Sequence, residues 1–439
     1  IMISRQLIDN FIQLFKEKKF QDLITKSNEL ISIEERPSGL SNLIGLSKVL
    51  LNETSKENII SSIDDFKDAY LKGKKEIFGM EALCNLITIS VKNCKKYPEL
   101  LKVLKDTEEL YLEAEKNFNN NEKLLIAGAD LFKYLINQKK VTEILDKLIK
   151  INSSSKIIRC NYAFNNNFLY SWKAKEYFQY SKEFKNYFSK LKCKKITEIN
   201  YNVNKKIKLG FVSGNLYNDH SVTYFLKNTF KYLNKEKFEI YVFSFGNKNN
   251  SKIIDDIKNN INFNFDISNL ENQKVIDLIQ NEKINILIDL FGVTSANRIE
   301  IFNNRVCPIQ ISWMGYCNTI GFDTIDYILA DKNLISDDEK KYYSEQILEL
   351  PNLWNVHSGF DFERKFNETP FIQKGYITFG SFGNFRKISD ETIKVWSEIL
   401  NKVDKSKLVL KSSINYENSI LVEKFKKKEL EKRIKIYER

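Results

Sequence analysis

KIKLGFVSGNLYNDHSVT, residues 206–223, reads as a strand, a polar loop and the start of a helix. Ile207, Leu209, Phe211 and Val212 form a short apolar run bounded by charge, the mark of a strand buried in a parallel sheet. Gly214 and Asn215 break the run, and Asn218 and Asp219 keep the turn polar. His220, one of only two histidines, precedes Ser221 and a helical pattern through Val222, Phe225, Leu226 and Phe230. In open α/β sheets, the loop after the carboxyl end of such a strand is where ligands bind.

Before this stretch the chain reads as helix. Leu7, Ile8, Phe11, Leu14 and Phe15 keep helical spacing, as do Leu23, Ile24, Ser27, Leu30 and Ile31. The pattern recurs over 40–51, 59–71, 77–91, 100–114, 124–136 and 141–149. Short polar turns between such segments suggest antiparallel helix pairs, either a solenoid of the tetratricopeptide kind or an irregular bundle. No clean repeat of about 34 residues marks the former. Residues 161–192, rich in Tyr and Phe, predict long helices packed on the next domain.

After residue 205 the period changes. Apolar runs of strand length occur at 208–213, 240–245, 263–266, 284–290, 309–313 and 325–330, with helical patterns at 251–259, 271–280 and 297–302. This alternation predicts a parallel sheet covered on both faces. Pro351 and Pro370 bracket a linker with Trp354 and His357, and His357 reads as structural. A second α/β unit then begins with a strand at 376–382, a helix at 389–400, a strand at 407–411 and a helix at 417–428. The expected division is an all-helical region at 1–195, a Rossmann-like domain at 205–350, a linker at 351–370 and the start of a second Rossmann-like domain at 371–439. Both ends read as cut, and the second α/β domain is expected to be incomplete.

The net charge of +12 comes from lysines dispersed along the chain and reads as a solvated surface; no nucleic-acid motif accompanies it. Six scattered cysteines without a CxxC pair, and two histidines, make no zinc set and suggest a reducing compartment. No membrane span or signal pattern is read, so the expected location is cytoplasmic. P-loop, GxGxxG, HExxH and GxSxG patterns are absent, which weighs against NTPases, dehydrogenases, zinc proteases and serine hydrolases.

Three further loops could carry chemistry. Residues 380–389, GSFGNFRKIS, join a strand to a helix with Ser389 as N-cap; free N–H groups there attract phosphate, and Arg386 and Lys387 add charge. Residues 313–321, WMGYCNTIG, place two glycines after a strand, where a backbone can approach a ligand or simply turn. DLFGVT, residues 289–294, follows another strand. These loops should line one edge with His220.

The segments KLGFVSGNLYNDHSVTYFL, ILIDLFGVTSANRIEIFNNRVCPIQISWMGYCNTIGFDTIDYILAD, YYSEQILELP and ITFGSFGNFRKISDETIKVWSEILNKV resemble the protein O-linked N-acetylglucosamine transferases. The resemblance extends to the SPINDLY-like members of glycosyltransferase family 41 and covers about 205–411. It implies a GT-B fold of two Rossmann-like halves, preceded by helices that are often tetratricopeptide repeats. It implies a uridine diphosphate sugar donor, with no cofactor besides this substrate, and a protein acceptor. His220 matches the family's active-site histidine, Lys387 the lysine on the donor diphosphate, and Gly315 the glycine near the N-acetyl pocket. Tyr316, Thr319 and Asn384 stand with them as expected donor-binding residues. Val293 occupies a position where many bacterial relatives have histidine, and Cys317 and Asn318 replace the usual Pro-Gly. The family's later donor-binding segment would fall beyond Arg439.

The resulting expectation is an inverting, metal-independent transfer of N-acetylglucosamine or another hexose to Ser or Thr of a protein, with no nucleic acid or membrane as partner. No Asp-x-Asp cation motif occurs in the α/β region. The 439-residue chain is expected to be inactive alone. The alternative is a non-catalytic helical interaction scaffold carrying an incomplete transferase domain.

Overall fold

The computed structural model describes residues 4–196, 205–217, 220–246, 249–294, 297–359, 365, 367–412 and 420–438. Asn218 and Asp219 lie outside the described residues. The chain forms two compact units, one of Ile1–Ser153 with Phe366–Arg439, the other of Ser154–Lys365.

The first unit opens with eight helices: α1 (Arg5–Lys16), α2 (Phe20–Leu30), α3 (Ser38–Leu51), α4 (Lys56–Lys72), α5 (Ile77–Asn93), α6 (Leu100–Asn117), α7 (Glu122–Tyr134) and α8 (Gln138–Ile151). Ser4, Ser55, Asn121 and Asn137 start four of them, each side chain accepting a first-turn N–H. Sequential helices pair, α3 with α4 and α7 with α8, and the odd helices also stack on one another, α1 on α3, α3 on α5 and α5 on α7. Stacking of this second kind is what an array of helix pairs makes. The intervals between Arg5, Ser38, Ile77 and Glu122, where the odd helices start, lengthen along the chain, so no fixed period marks the sequence.

The same unit holds α14 (Pro370–Lys374), β8 (Thr378–Ser381), α15 (Asp390–Lys402), β9 (Lys407–Ser412), α16 (Ile420–Lys426) and β10 (Ile434–Glu438). Its three parallel strands run in the order β10-β9-β8. Leu408, Leu410, Leu421 and Phe425 fill the core between this sheet and its helices.

The second unit begins with α9 (Lys156–Asn166) and α10 (Ala174–Phe184). The helical stretch of the sequence is therefore shared between the units, because α9 and α10 pack Cys160, Ala163 and Phe184 into the core of the first sheet. That sheet is made of β1 (Ile207–Ser213), β2 (Phe238–Ser244), β3 (Phe263–Asp266), β4 (Ile286–Asp289), β5 (Ile309–Ser312), β6 (Tyr327–Ala330) and β7 (Gln346–Glu349). All pairs are parallel, in the order β3-β2-β1-β4-β5-β6-β7. This is a doubly wound Rossmann arrangement, with the order reversing between β1 and β4. Helices α11 (Ser221–Tyr232) and α12 (Lys252–Lys258) cover one face, and α9, α10 and α13 (Asn272–Asn281) the other. The expected helix at 297–302 is a single 3₁₀ turn, Ile299–Asn303.

The linker after β7 folds back on this unit. Trp313 Nε1 donates to the Trp354 carbonyl at 2.8 Å, and the Trp354 N–H to Asp331 Oδ2 at 2.9 Å. His357 stacks on Tyr224 with ring centroids 5.3 Å apart. None of the described helices is long and apolar enough to cross a membrane.

Gly128 tests how far packing governs the array. It lies buried in α7, and a Cβ there would overlap the Tyr111 ring. Helix propensity alone would make Gly128→Ala stabilising by about 1 kcal/mol. Overpacking against buried Tyr111 should reverse the sign and cost about 1–3 kcal/mol. Thermal melting checks this, and a raised midpoint for Gly128→Ala would show that Tyr111 yields freely.

Candidate functional site

The loops after β1, β4 and β5 leave the carboxyl ends of strands that neighbour one another in the sheet. They bring His220, the 289–294 loop and Gly315 to one sheet edge, at the reversal of strand order.

After β1, a Cβ on Gly214 would stand 2.7 Å from the Phe245 ring and 2.9 Å from the Phe291 ring. Only glycine lets the strand leave between these two aromatics. Thr223 Oγ1 donates to the Asn215 carbonyl at 3.0 Å and ties the first turn of α11 to the loop. His220 is the N-cap of α11, its Nδ1 accepting the Val222 N–H at 3.3 Å. That bond fixes the neutral tautomer with the proton on Nε2. Burial lowers the pKa of His220 below the ordinary histidine value, so at neutral pH the exposed ring offers Nε2–H as a donor. Acting as a base through Nε2 would require moving the proton to Nδ1 and giving up the cap.

After β4, Asp289 is buried and accepts the N–H groups of Phe291 at 3.0 Å and Gly292 at 2.8 Å. Burial raises its pKa to about 7 in spite of these bonds. The turn it closes puts Gly292 at φ 57°, facing the Tyr316 side chain.

After β5, the Gly315 N–H bonds to the Trp313 carbonyl at 2.8 Å, with Met314 at φ 69°. This is a γ-turn of the rare, strained hand, and strain of this kind gathers at functional sites. A Cβ on Gly315 would overlap the carbonyl group of Leu290. Glycine is needed here because the two loops touch backbone to backbone.

Tyr316 and Thr319 point inward, only 6% and 4% exposed. The Tyr316 hydroxyl accepts from Asn167 Nδ2 at 3.3 Å. Thr319 Oγ1 donates to Glu345 Oε2 at 2.6 Å, and the Ile320 N–H to Glu345 Oε1 at 2.8 Å. Both side chains hold the loop, so a donor contact at these positions falls to the backbone. Asn167 and Glu345 were not singled out in the sequence; each acts on a loop far along the chain, and no local pattern signals that.

A cavity of about 500 Å³ opens beside these loops, at the ends of β2, β3 and β4. Phe245, Cys160 and Phe188 line its apolar part, and His220 and Gly315 take no part in it. Its charges are spent internally: Glu300 pairs with Lys156, and Arg298 donates to the carbonyls of Ile267 and Leu270. Among the described residues no group of three or more His, Cys, Asp or Glu could hold a metal.

Lys387 and Asn384 belong to the other unit. Asn384 caps a 3₁₀ turn, Phe385–Lys387, its side chain accepting the Arg386 N–H at 3.0 Å. Ser389 caps α15 through the Thr392 N–H at 3.1 Å. Lys387 is exposed beside this helix start. Asp390 and Glu391 occupy the first turn and compete for its positive end, while Lys424 neutralises Asp390 at 2.8 Å. Arg386 departs from the sequence reading: its guanidinium turns away and donates to Gln138 Oε1 at 3.1 Å, so it does not join Lys387 as a free cation.

Residues 189–374 match glycosyl transferase family 41. A 210-residue stretch is 32% identical to a SPINDLY protein of Oryza sativa subsp. japonica, described as a probable UDP-N-acetylglucosamine–peptide N-acetylglucosaminyltransferase. A 217-residue stretch is 27% identical to the SEC protein of Arabidopsis thaliana, described in the same words. Each match covers 47% of this chain but only 22% of the relative. A mutant of the Thermobaculum terrenum O-GlcNAc transferase superposes over 92% of this chain and 75% of its own, with TM-score 0.70 and 16% identity. At that identity the likeness concerns the fold: helices, then Rossmann-like domains of the GT-B type.

Two substitutions probe the site's construction. Gly315→Ala must push the loops apart and should lower the melting temperature of the second unit; an unchanged midpoint would mean that the close approach to Leu290 is dispensable. The folded pKa of Asp289, about 7, exceeds an unfolded value of about 3.9. The folded state therefore holds more protons between these values, and this residue's contribution to stability falls as pH rises through that window. The stability advantage of the parent over Asp289→Asn should shrink from pH 4.5 to pH 7.5. An advantage independent of pH would contradict a proton held on Asp289.

Proposed function

We propose, from the match of residues 189–374 to glycosyl transferase family 41, that the protein transfers a sugar from a uridine diphosphate donor to a protein hydroxyl. The observation that carries the reading is that the family region contains all three loops at the carboxyl edge of the seven-stranded sheet, including the strained turn at Met314.

In this proposal N-acetylglucosamine or a related hexose is displaced from the diphosphate by Ser or Thr of the acceptor, with inversion at the anomeric carbon. The acceptor O–C bond forms as the bond to the diphosphate oxygen breaks, and the acceptor proton passes to solvent. Departure of the diphosphate builds negative charge, which Lys387 and the N-terminus of α15 would stabilise without a resident metal. His220 would donate its Nε2–H to an oxygen of the sugar or the acceptor. Its lowered pKa keeps it neutral, so this role survives across the neutral range. The six free cysteines fit a cytoplasmic location.

The stacked helical array favours a second reading, a scaffold that captures protein partners without transferring sugar. Mass spectrometry of peptides incubated with the full-length protein and a UDP-sugar separates the two, since only the first adds the mass of an N-acetylhexosamine or a hexose. Under the first reading Lys387→Ala in the full-length protein should lower transfer about 100-fold or more, because one preorganised stabiliser of transition-state charge is worth roughly 3 kcal/mol. The fold should survive, Lys387 being exposed. Unchanged transfer by Lys387→Ala would remove this lysine from the mechanism.

A further inference from the structure

The turn between α7 and α8 adopts a backbone that its sequence disfavours. Ile136 stands at φ 54°, and a β-branched residue in the left-handed region is an outlier. Such strain persists only where the surroundings impose it. The surroundings here are the core of the three-stranded domain: Ile136 packs into the cluster built on Ile388, Leu408 and Phe425, and Phe385 packs into the same cluster.

Two residues on, Gln138 begins α8 and accepts Arg386 Nη2 at 3.1 Å. Burial pushes the Arg386 guanidinium down to about 10, with Asp130 on α7 as the opposing influence. Within the turn Phe385–Lys387, Arg386 is thus tied directly to the helical array, and Phe385 shares a core cluster with Ile136. The third, Lys387, is left exposed, its N–H held by the Asn384 carbonyl at 2.9 Å.

We propose that the α7–α8 turn is a positioning element for Lys387: Gln138, holding Arg386, and Ile136, sharing a core with Phe385, set where the lysine stands and so how tightly a nucleoside diphosphate is held. This rests on the reading that Lys387 contacts the diphosphate. The linkage is reciprocal, so a partner that shifts α8 would change nucleotide affinity, and bound nucleotide would change affinity for that partner.

The test is calorimetric titration of UDP, to millimolar concentration, into the 439-residue chain and its variants. Gln138→Ala and Arg386→Leu should each raise the Kd about threefold to tenfold, the scale of one lost hydrogen bond. Their double variant should match either single variant, since both break the same hydrogen bond. In a Lys387→Ala background, Gln138→Ala should change nothing further. That last result distinguishes positioning from general support of the fold, which would weaken binding in either background. Arg386→Lys, which keeps a donor, should recover part of the affinity.

If Lys387→Ala weakens UDP binding while Gln138→Ala and Arg386→Leu leave it unchanged, the positioning role is wrong and the reading of Lys387 stands. If Lys387→Ala leaves the Kd unchanged, or the parent chain binds no UDP, the reading of Lys387 fails and the inference falls with it.

Discussion

The second unit depends on one close approach, between the backbone after β5 and the backbone after β4. Gly315 lies so near the Leu290 carbonyl that no side chain fits. The chain reaches this position through a strained γ-turn at Met314. On the opposing loop, Gly292 faces Tyr316 in the same way and takes a positive φ to do so. Hydrogen bonds brace the two loops: Asp289 closes one, and Asn167 and Glu345 hold the other.

Electrostatics reflect this construction. Asp289 and Glu345 spend their oxygens on backbone N–H groups and a hydroxyl inside the protein, so they brace the loops rather than face a substrate. His220 spends Nδ1 on the cap of α11, leaving a donor rather than an acceptor on its exposed side. In the first unit the same division appears between neighbours, with Arg386 engaged internally and Lys387 exposed. A basic pair in a sequence is therefore not a basic pair in a site.

The sequence was most legible where structure is local. Apolar runs of strand length marked β1, β2 and β5 because these strands are buried on both faces, and Ser389 was readable as an N-cap because capping acts over three residues. Strand β7 was missed as a strand because Gln346 and Glu349 interrupt its apolar run at an exposed edge. The 3₁₀ turn at Ile299–Asn303 carried a helical pattern but too few residues to build a helix. Gly315 stands out in the sequence, yet its cause does not, since Leu290 lies elsewhere in the sequence. The same holds for Arg386 and Gln138. Residue identity marks a position as unusual, and only the fold says which partner made it so.

The central claim of the proposed function is that the carboxyl edge of the seven-stranded sheet and, in the other unit, the Lys387 loop each contact a UDP-sugar. Hydrogen–deuterium exchange with and without a UDP-sugar and an acceptor peptide tests it most directly. The account predicts slowed exchange in the loops after β1, β4 and β5 and in residues 382–390, with the amino-terminal ends of the strands unchanged. Protection confined to the amino-terminal edge, or to the helical array alone, would contradict it.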